Sequence, residues 1–487
     1  MVKAVPQLEY LFNPSSIALV GASRQPIKWG SIVLGNIIKG GYKGKVYPIN
    51  PKAEKIQDLK CYPNVKKIPA EVDLSIIAAP AVDVRISEII EDCAEKNVKA
   101  AIVISSGFGE TGEKGKRAEE ELVSSARKAN IRFVGPNSMG IFSASANLHA
   151  LMPTVRPLKG DVSFVSQSGN LGVQTLDRGV QLGVGFNLFV SSGNEADLHC
   201  EDYINYFRQD PETKIILSYI EGLKDGVGFM DVARETTKKK PIIAFKAGET
   251  EAGASAALSH TGSLTGSSRI YDSVFKQVGV IKAENTEDML DFALAFKQPL
   301  PKGRKVAILT RGGGWGVVTA DACDKAGIEL PKIPKEIFEE LDKVLPLYWS
   351  KNNPIDSVAL INPYAHIDIL KIIKKWKDVD GLIILGGLDE FYSSFLTKIG
   401  VDDSIVKLQE ELLEEYIKEM IEIAEDWGKP VFAVVVTLLD KSRGVQLLNE
   451  HNIPVYYSPE RAVKAFSKLI EWKEYLKKFQ NSSDKIF

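Results

Sequence analysis

Of the five histidines in the sequence, at positions 149, 199, 260, 366 and 451, one has neighbours suited to chemistry. His260 lies in Gly253-Ala-Ser-Ala-Ala-Leu-Ser-His260-Thr-Gly-Ser-Leu-Thr-Gly266, where small side chains leave an imidazole exposed and let backbone approach a bulky anion. An imidazole with an unperturbed pKa of about 6.5 is largely neutral at cell pH and can attack phosphorus, forming a phosphohistidine. Such a group needs an anion cradle. Ser166-Gln-Ser168-Gly169-Asn170-Leu-Gly172 follows an apolar run, is predicted to open a helix, and offers free N–H groups to a phosphate through Ser168, Gly169 and Asn170. Glu221, after the predicted strand Ile215–Ile220, is placed to orient the ring by accepting its other N–H. The plain alternatives are a flexible loop, a surface histidine and a solvated acid, and spacing alone does not decide between the two sets.

A second cluster lies near the amino terminus. A predicted strand Ile17–Val20 runs into Gly21-Ala-Ser-Arg-Gln-Pro-Ile-Lys-Trp-Gly30 and then a helix, the position at which Rossmann folds bind phosphates on backbone N–H groups. The spacing is not GxGxxG. The second predicted strand ends Tyr47-Pro-Ile-Asn-Pro-Lys52, with no acid to bind free ribose hydroxyls. Lys52, with Ser23 and Lys28 of the first loop, suits a phosphorylated ribose, for which coenzyme A and NADP both qualify. Loops holding Pro80, Ser106, Gly107 and Asn137 should converge on the same crevice, as open parallel sheets require. The alternative is that Gly21 and Gly30 only permit tight turns while the lysines are solvated.

Short Val- and Ile-rich runs alternate with longer amphipathic stretches throughout, the pattern of parallel strands joined by crossover helices. In the first section strands are expected at Ile17–Val20, Lys45–Ile49, Asp73–Ala78, Ala101–Ile104 and Arg132–Val134. Joints at Met152–Lys159 and Gln298–Gly303 divide the chain into residues 1–150, 160–297 and 303–479. The second and third sections open alike: Val162-Ser-Phe-Val-Ser-Gln-Ser-Gly169-Asn-Leu-Gly172 matches Val306-Ala-Ile-Leu-Thr-Arg-Gly-Gly313-Gly-Trp-Gly316 at a constant offset of 144 residues. The expected class is therefore α/β, a Rossmann-type domain followed by two related flavodoxin-like domains. The third section continues with strands at Gly381–Leu385 and Val431–Val436, a charged helix at Glu460–Phe479 and a frayed tail at Gln480–Phe487. No histidine stands 91 residues after Gly313, the spacing from Gly169 to His260, so the second turn is given no carrier role.

At 487 residues the chain exceeds what one core supports. With 61 basic and 63 acidic residues, no field favours nucleic acid or an anionic membrane. The four cysteines stand far apart without a CxxC pair and read as buried thiols of a reducing compartment; no metal site is expected. The start MVKAVPQLEY lacks a signal-peptide run and no apolar stretch is long enough to span a bilayer, so the expectation is a cytoplasmic protein.

Taken in order, Ile17-Ala-Leu-Val-Gly-Ala-Ser23, Tyr47-Pro-Ile-Asn-Pro-Lys52, Gly135-Pro-Asn-Ser-Met-Gly140, Ser166-Gln-Ser-Gly-Asn170 and Ser259-His-Thr-Gly262 resemble the alpha subunits of ADP-forming acetyl-CoA or acyl-CoA synthetases, relatives of succinyl-CoA synthetase. The resemblance covers nearly the whole chain. It implies a CoA-binding domain and two succinyl-CoA-synthetase-type domains, with His260 phosphorylated, Glu221 its carboxylate partner, and Ser168, Gly169 and Asn170 the phosphoryl cradle. Gly21, Ser23, Lys28, Lys52, Pro80, Ser106, Gly107 and Asn137 would lie around CoA. The implied reaction takes acyl-CoA, most simply acetyl-CoA, with phosphate and ADP to free acid, CoA and ATP through acyl phosphate and phosphohistidine. The family's ATP-grasp module has no room after three α/β domains, which implies a separate beta subunit holding ADP/ATP and Mg²⁺, in an α2β2 assembly. Two competing readings are a non-catalytic CoA- or NADP-sensing regulator and an NADP-dependent oxidoreductase, the latter disfavoured by the missing glycine fingerprint.

Overall fold

The computed structural model describes residues 4–80, 86–255, 267–358, 363–388, 391–435 and 442–483. The chain forms two compact units, Met1–Met289 and Leu290–Phe487.

The first unit holds two large sheets. One is fully parallel, in the order Lys45–Ile49, Ser16–Val20, Leu74–Ile77, Ala100–Val103, Arg132–Val134. Its three central strands are buried at every position, because helices cover both faces; this is why they read as continuous apolar runs without alternation. Strand order reverses around Ser16–Val20, whose chain neighbours go to opposite sides, so a crevice opens at its carboxyl end. The helix Trp29–Gly40 closes on Gly41, whose φ of 86° is the left-handed conformation that ends helices.

The second sheet runs Ile281–Ala283, Ile242–Lys246, Ile215–Ile220, Leu158–Ser166, Gly185–Ser191, Gly140–Ser143, Leu148–Leu151. Its first five strands are parallel and its last two antiparallel. The hairpin Gly140–Leu151 thus belongs to this sheet, although the sequence reading placed residues up to 150 with the first one. Ser143 pairs with Leu188 and the apolar faces of Phe142 and Phe189 come together, so burial, not chain order, decides its allegiance. One continuous core links the two sheets: Phe12 stacks on Tyr206 with ring centroids 5.2 Å apart, and Leu19, Ile76, Ile141, Val165 and Ile216 share it.

The second unit is built on a parallel sheet in the order Ile355–Asp356, Val306–Thr310, Gly381–Leu385, Val431–Val434, Val455–Tyr456. Trp376, Ile384, Tyr416 and Ile417 lie in its core. The closing helix, Pro459–Ser483, runs past the point where the sequence reading expected fraying, anchored by Arg461, which makes a two-pronged ion pair with the buried Asp291 at 2.7 Å on each arm. All four cysteines are buried and unlinked, as expected. Among the described residues no helix is long and apolar enough to cross a membrane.

Candidate active site

At the carboxyl edge of the first sheet, loops from neighbouring strands bond to one another in a row. Gly21 N–H donates to the Ile49 carbonyl (3.2 Å), Ser105 Oγ to the Ala79 carbonyl (2.5 Å) and Asn137 N–H to the Ser105 carbonyl (2.9 Å). Gly21 has a φ of 86°, and a Cβ there would stand 2.8 Å from the Ala79 nitrogen; a Cβ on Gly30 would meet the Gly21 oxygen at 2.0 Å. Only glycines allow the loop to fold this tightly onto the start of the helix. Asn50, which the sequence reading passed over, donates to the Ala22 carbonyl (2.8 Å) and accepts from Lys52 N–H (2.9 Å), joining the first and second loops.

Over the strand-order reversal lies a cavity of about 370 Å³, lined by Val20, Gly21, Ile49, Pro51, Asn64 and Ala79, with Glu88, Ile89 and Asp92 of the helix Ile86–Glu95 on its far wall. Of the proposed ligand residues, Gly21 lines this cavity. Ser23 is half-buried, while Lys28, Lys52 and Pro80 are exposed in the loops around it. Neither lysine is ion-paired among the described residues. Ser106, Gly107 and Asn137 lie in the loops that follow the later strands Ala100–Val103 and Arg132–Val134 and do not line the cavity. Five strands spaced about 4.8 Å apart span about 19 Å, so one extended ligand can reach both groups. The Gly107 N–H is already committed: it donates to Glu110 Oε1 at 2.6 Å. Burial would raise the Glu110 carboxyl, but bonds from Asn194 and from backbone N–H groups outweigh it and hold the group below its ordinary range.

The same edge meets the second sheet. Asn137 Nδ2 donates to Asn194 Oδ1 (3.4 Å), and Asn194 Nδ2 donates to Glu110 Oε2 (2.7 Å) and Glu119 Oε2 (2.9 Å). Met139 packs so closely on the helix Gly169–Leu182 that a Cβ on Gly169 would stand 2.4 Å from its Cγ. The loop holding Asn137 and the turn holding Ser168 and Gly169 are therefore side by side.

That turn has the form expected from its residues. Ser168 is the N-cap, and its own side chain makes no cap hydrogen bond to the first N–H groups of the helix. Ser166 Oγ donates to the Ser168 carbonyl at 2.7 Å, and a Cβ on Gly172 would press on Phe189 at 2.9 Å, which draws the helix onto the sheet. Ser168 and Gly169 are half-buried and Asn170 is exposed. Because Ser166 pairs with Tyr219 on the adjacent parallel strand, the structure brings Glu221 to the same edge as the turn. Glu221 is buried at 8% exposure.

Two groups not singled out in the sequence underlie this edge. Glu195 is fully buried; burial raises its carboxyl to about 7, against bonds from Ser192 and Gln167. Lys246, at 1% exposure, is pulled below its ordinary range by burial, with Glu249 and Glu221 opposing. The next strand, Ile242–Lys246, ends here too, and the chain leaves it toward the stretch containing His260. His260 and the rest of 256–266 lie outside the described residues. Glu249 on one side of that stretch and Ser268 on the other are joined by a 3.0 Å hydrogen bond, and Lys282 pairs with Glu249 at 2.7 Å. Among the described residues no group of three or more His, Cys, Asp or Glu side chains is gathered as for a metal ion.

The other histidines have ordinary settings. His149 packs edge-on against Phe142, His199 caps the helix Cys200–Gln209, His366 accepts from Arg311 Nε and His451 pairs with Glu425.

Comparison with known proteins gives the same order of parts. Three family models match: a CoA binding domain over residues 15–144, a succinyl-CoA ligase like flavodoxin domain over 159–296 and a Ligase-CoA domain over 306–478. The chain is 42% identical, over 95% of its length and 97% of the relative's, to the alpha subunit of acetate–CoA ligase [ADP-forming] II of Pyrococcus furiosus. It is 36% identical to acetate–CoA ligase [ADP-forming] I of Archaeoglobus fulgidus, of which it spans 63%. Among solved structures, acetyl-coenzyme A synthetase 1 of Ca. Korarchaeum cryptofilum, in complex with phosphate and ADP, superposes with a TM-score of 0.85 at 38% identity, covering 97% of this chain and 98% of that one. The chain belongs to the ADP-forming acetate–CoA ligase family.

Proposed function

We propose that this chain is the alpha subunit of an ADP-forming acyl-CoA synthetase, with acetyl-CoA the first substrate to try. Its three domains would span 1–150, 160–297 and 303–479. The observation that carries this reading is the contact of Met139 with Gly169: a thioester held along the first sheet's loops would end beside the start of the helix Gly169–Leu182.

CoA would occupy the crevice of Gly21, Ser23, Lys28 and Lys52 and extend past Pro80 and Ser106 toward Gly107 and Asn137. The apolar residues lining the cavity, Val20, Ile49, Pro51 and Ala79, suit a flat heterocycle, and the exposed lysines around it suit phosphates. Phosphate attacks the thioester carbonyl, the C–S bond breaks, and CoA leaves as its thiol. His260 then attacks the phosphorus of the acyl phosphate, releasing the free acid and forming the phosphohistidine; Ser168, Gly169 and Asn170 stabilise its anion by backbone N–H groups and the helix dipole. Glu221 accepts the second imidazole N–H and stabilises the charge that develops on the ring. Transfer to ADP restores the neutral histidine. ADP/ATP and Mg²⁺, which neutralises nucleotide phosphates, are assigned to an ATP-grasp beta subunit in an α2β2 complex. The 63% share of the longer Archaeoglobus relative supports a second component. A cytoplasmic location fits the buried, unlinked thiols.

The test is ATP formation from acetyl-CoA, phosphate and ADP by the chain with and without its partner subunit, followed by a panel of other acyl thioesters. The expected result is turnover only with the partner. ATP synthesis by the chain alone would remove the partner from the scheme, and binding of CoA without turnover in any combination would leave a sensor instead of an enzyme.

A further inference from the structure

Residues 221–223 follow a buried strand yet take no part in a helix or sheet. Their backbone groups are satisfied by side chains from three other elements. Gln167 Oε1 accepts from Glu221 N–H at 2.6 Å and from Gly222 N–H at 3.0 Å. Its Nε2 donates to the Gly222 carbonyl at 2.7 Å and to Glu195 Oε2 at 2.9 Å. All four hydrogen-bonding positions of one primary amide are thus used, which fixes both its orientation and its plane. From the other side, Lys246 Nζ donates to the Glu221 carbonyl at 2.9 Å and also to the Ala247 carbonyl. Its ammonium lies 4.7 Å from the centre of the Tyr271 ring, and Tyr271 Oη accepts from Leu223 N–H at 3.1 Å.

We propose that Gln167 and Lys246 are positioning residues for the phosphoryl transfer: together they clamp the peptide of Glu221 at its N–H and its carbonyl and so hold its carboxylate in register with the Ser166–Gly169 turn. This rests on the reading of Glu221 as the partner of His260. Two features set the clamp apart from ordinary packing. Gln167 belongs to the turn itself, and its own N–H donates to the Tyr219 carbonyl, so one residue ties cradle and acid together. Lys246 joins the Glu221 carbonyl to that of Ala247, the first residue after the strand from which the His260 stretch departs, so the same ammonium references the acid to the base of the carrier segment. A lysine is a costly choice at 1% exposure. Burying its charge is compensated by two carbonyls, an aromatic face and the acids Glu221 and Glu249.

The test uses the complex of this chain with its partner subunit. Gln167→Met and Lys246→Met, each near in size to the native side chain, are compared with Glu221→Gln and with the two double variants. Initial rates of His260 phosphorylation from ATP and CoA affinity are both measured. Phosphorylation should slow by about 10- to 100-fold in each single variant, as expected for a misplaced orienting group, while the CoA dissociation constant stays within about twofold. Because the clamp acts through Glu221, adding either substitution to Glu221→Gln should bring little further loss. Losses that multiply in the double variants, or phosphorylation within about twofold of wild type in the singles, overturn the inference. Should Lys246→Met give no folded complex, Gln167→Glu serves: it keeps both acceptor bonds but sets a carboxylate against Glu195, so a slowed rate that is non-additive with Glu221→Gln supports the clamp, and an unchanged or multiplying rate refutes it. Label that persists in His260→Ala defeats the underlying reading, and the inference with it, and is distinguished from failure of the clamp alone by that control.

Discussion

Two strand–turn–helix segments, one in each unit, share their backbone design and differ in the residues it presents. The strands end at Ser166 and Thr310 and the helices open at Gly169 and Gly313, each pair 144 positions apart. In both, a hydroxyl at the strand end donates to the carbonyl two residues on, Ser166 to Ser168 at 2.7 Å and Thr310 to Gly312 at 2.9 Å. In neither helix does the N-cap residue, Ser168 or Gly312, make a side-chain cap bond. The neighbouring strand then separates them. Ser166 pairs with Tyr219 and leads to Glu221, whereas Thr310 pairs with Leu385 and leads to Gly387 at the corresponding place. A Cβ on Gly387 would stand 2.5 Å from Arg311, which fills the position of Gln167 and donates to His366. The turn is thus shared, and among the described residues the acid with its supports is what distinguishes the first from the second.

The largest effect should come from that acid. Glu221→Gln keeps the shape but removes the charge, and is expected to slow phosphorylation of His260 by about 100-fold in the complex, measured by single-turnover labelling. A comparable rate in the variant would make the two turns equivalent again.

The second prediction concerns Glu195, which supports the first turn through Gln167. Its folded-state pKa of about 7 lies above the ordinary 4.5, so the native state holds the proton more tightly than the unfolded chain does. The stability this contributes is complete at low pH and is lost as pH rises through about 7. Glu195→Gln should remove this slope. Relative to wild type, the variant should gain ~2–3 kcal/mol between pH 5 and pH 8, seen as a narrowing or reversal of the difference in Tm. A constant difference across that range would mean Glu195 is ionised throughout.

The smallest effect separates the two helix starts sterically. Gly169→Ala meets Met139 at 2.4 Å and should cost ~1–3 kcal/mol, while Gly313→Ala has only Asp356 Oδ2 at 3.2 Å and should change stability by less than ~0.5 kcal/mol. Denaturant unfolding of each unit's signal checks both. Equal costs would show that the first helix is not held against the loop carrying Met139.

Much of this was legible in the residues. Apolar runs such as Ile17–Val20 and Leu74–Ile77 marked buried parallel strands, and the 144-residue repeat marked two helix-opening turns whose bounds agree with the structure. What local pattern could not reveal was long-range. Gln167 finds partners at 195 and at 221–222, and nothing in Ser-Gln-Ser announces that its amide will be saturated. Glu88 and Asp92 look like the solvated face of an amphipathic helix until the fold turns that helix over the cavity. The hairpin Gly140–Leu151 is not foreseen at all, because its pairing with Gly185–Ser191, more than 40 residues later, leaves no local pattern.

The central claim is that one imidazole carries the phosphoryl group. The most direct measurement incubates the complex with acetyl-CoA and labelled phosphate in the absence of ADP, then maps acid-labile, base-stable label by mass spectrometry. The account predicts label on His260 in the wild type and none in His260→Ala; label that survives in the variant, or steady ATP synthesis by the variant, would contradict it.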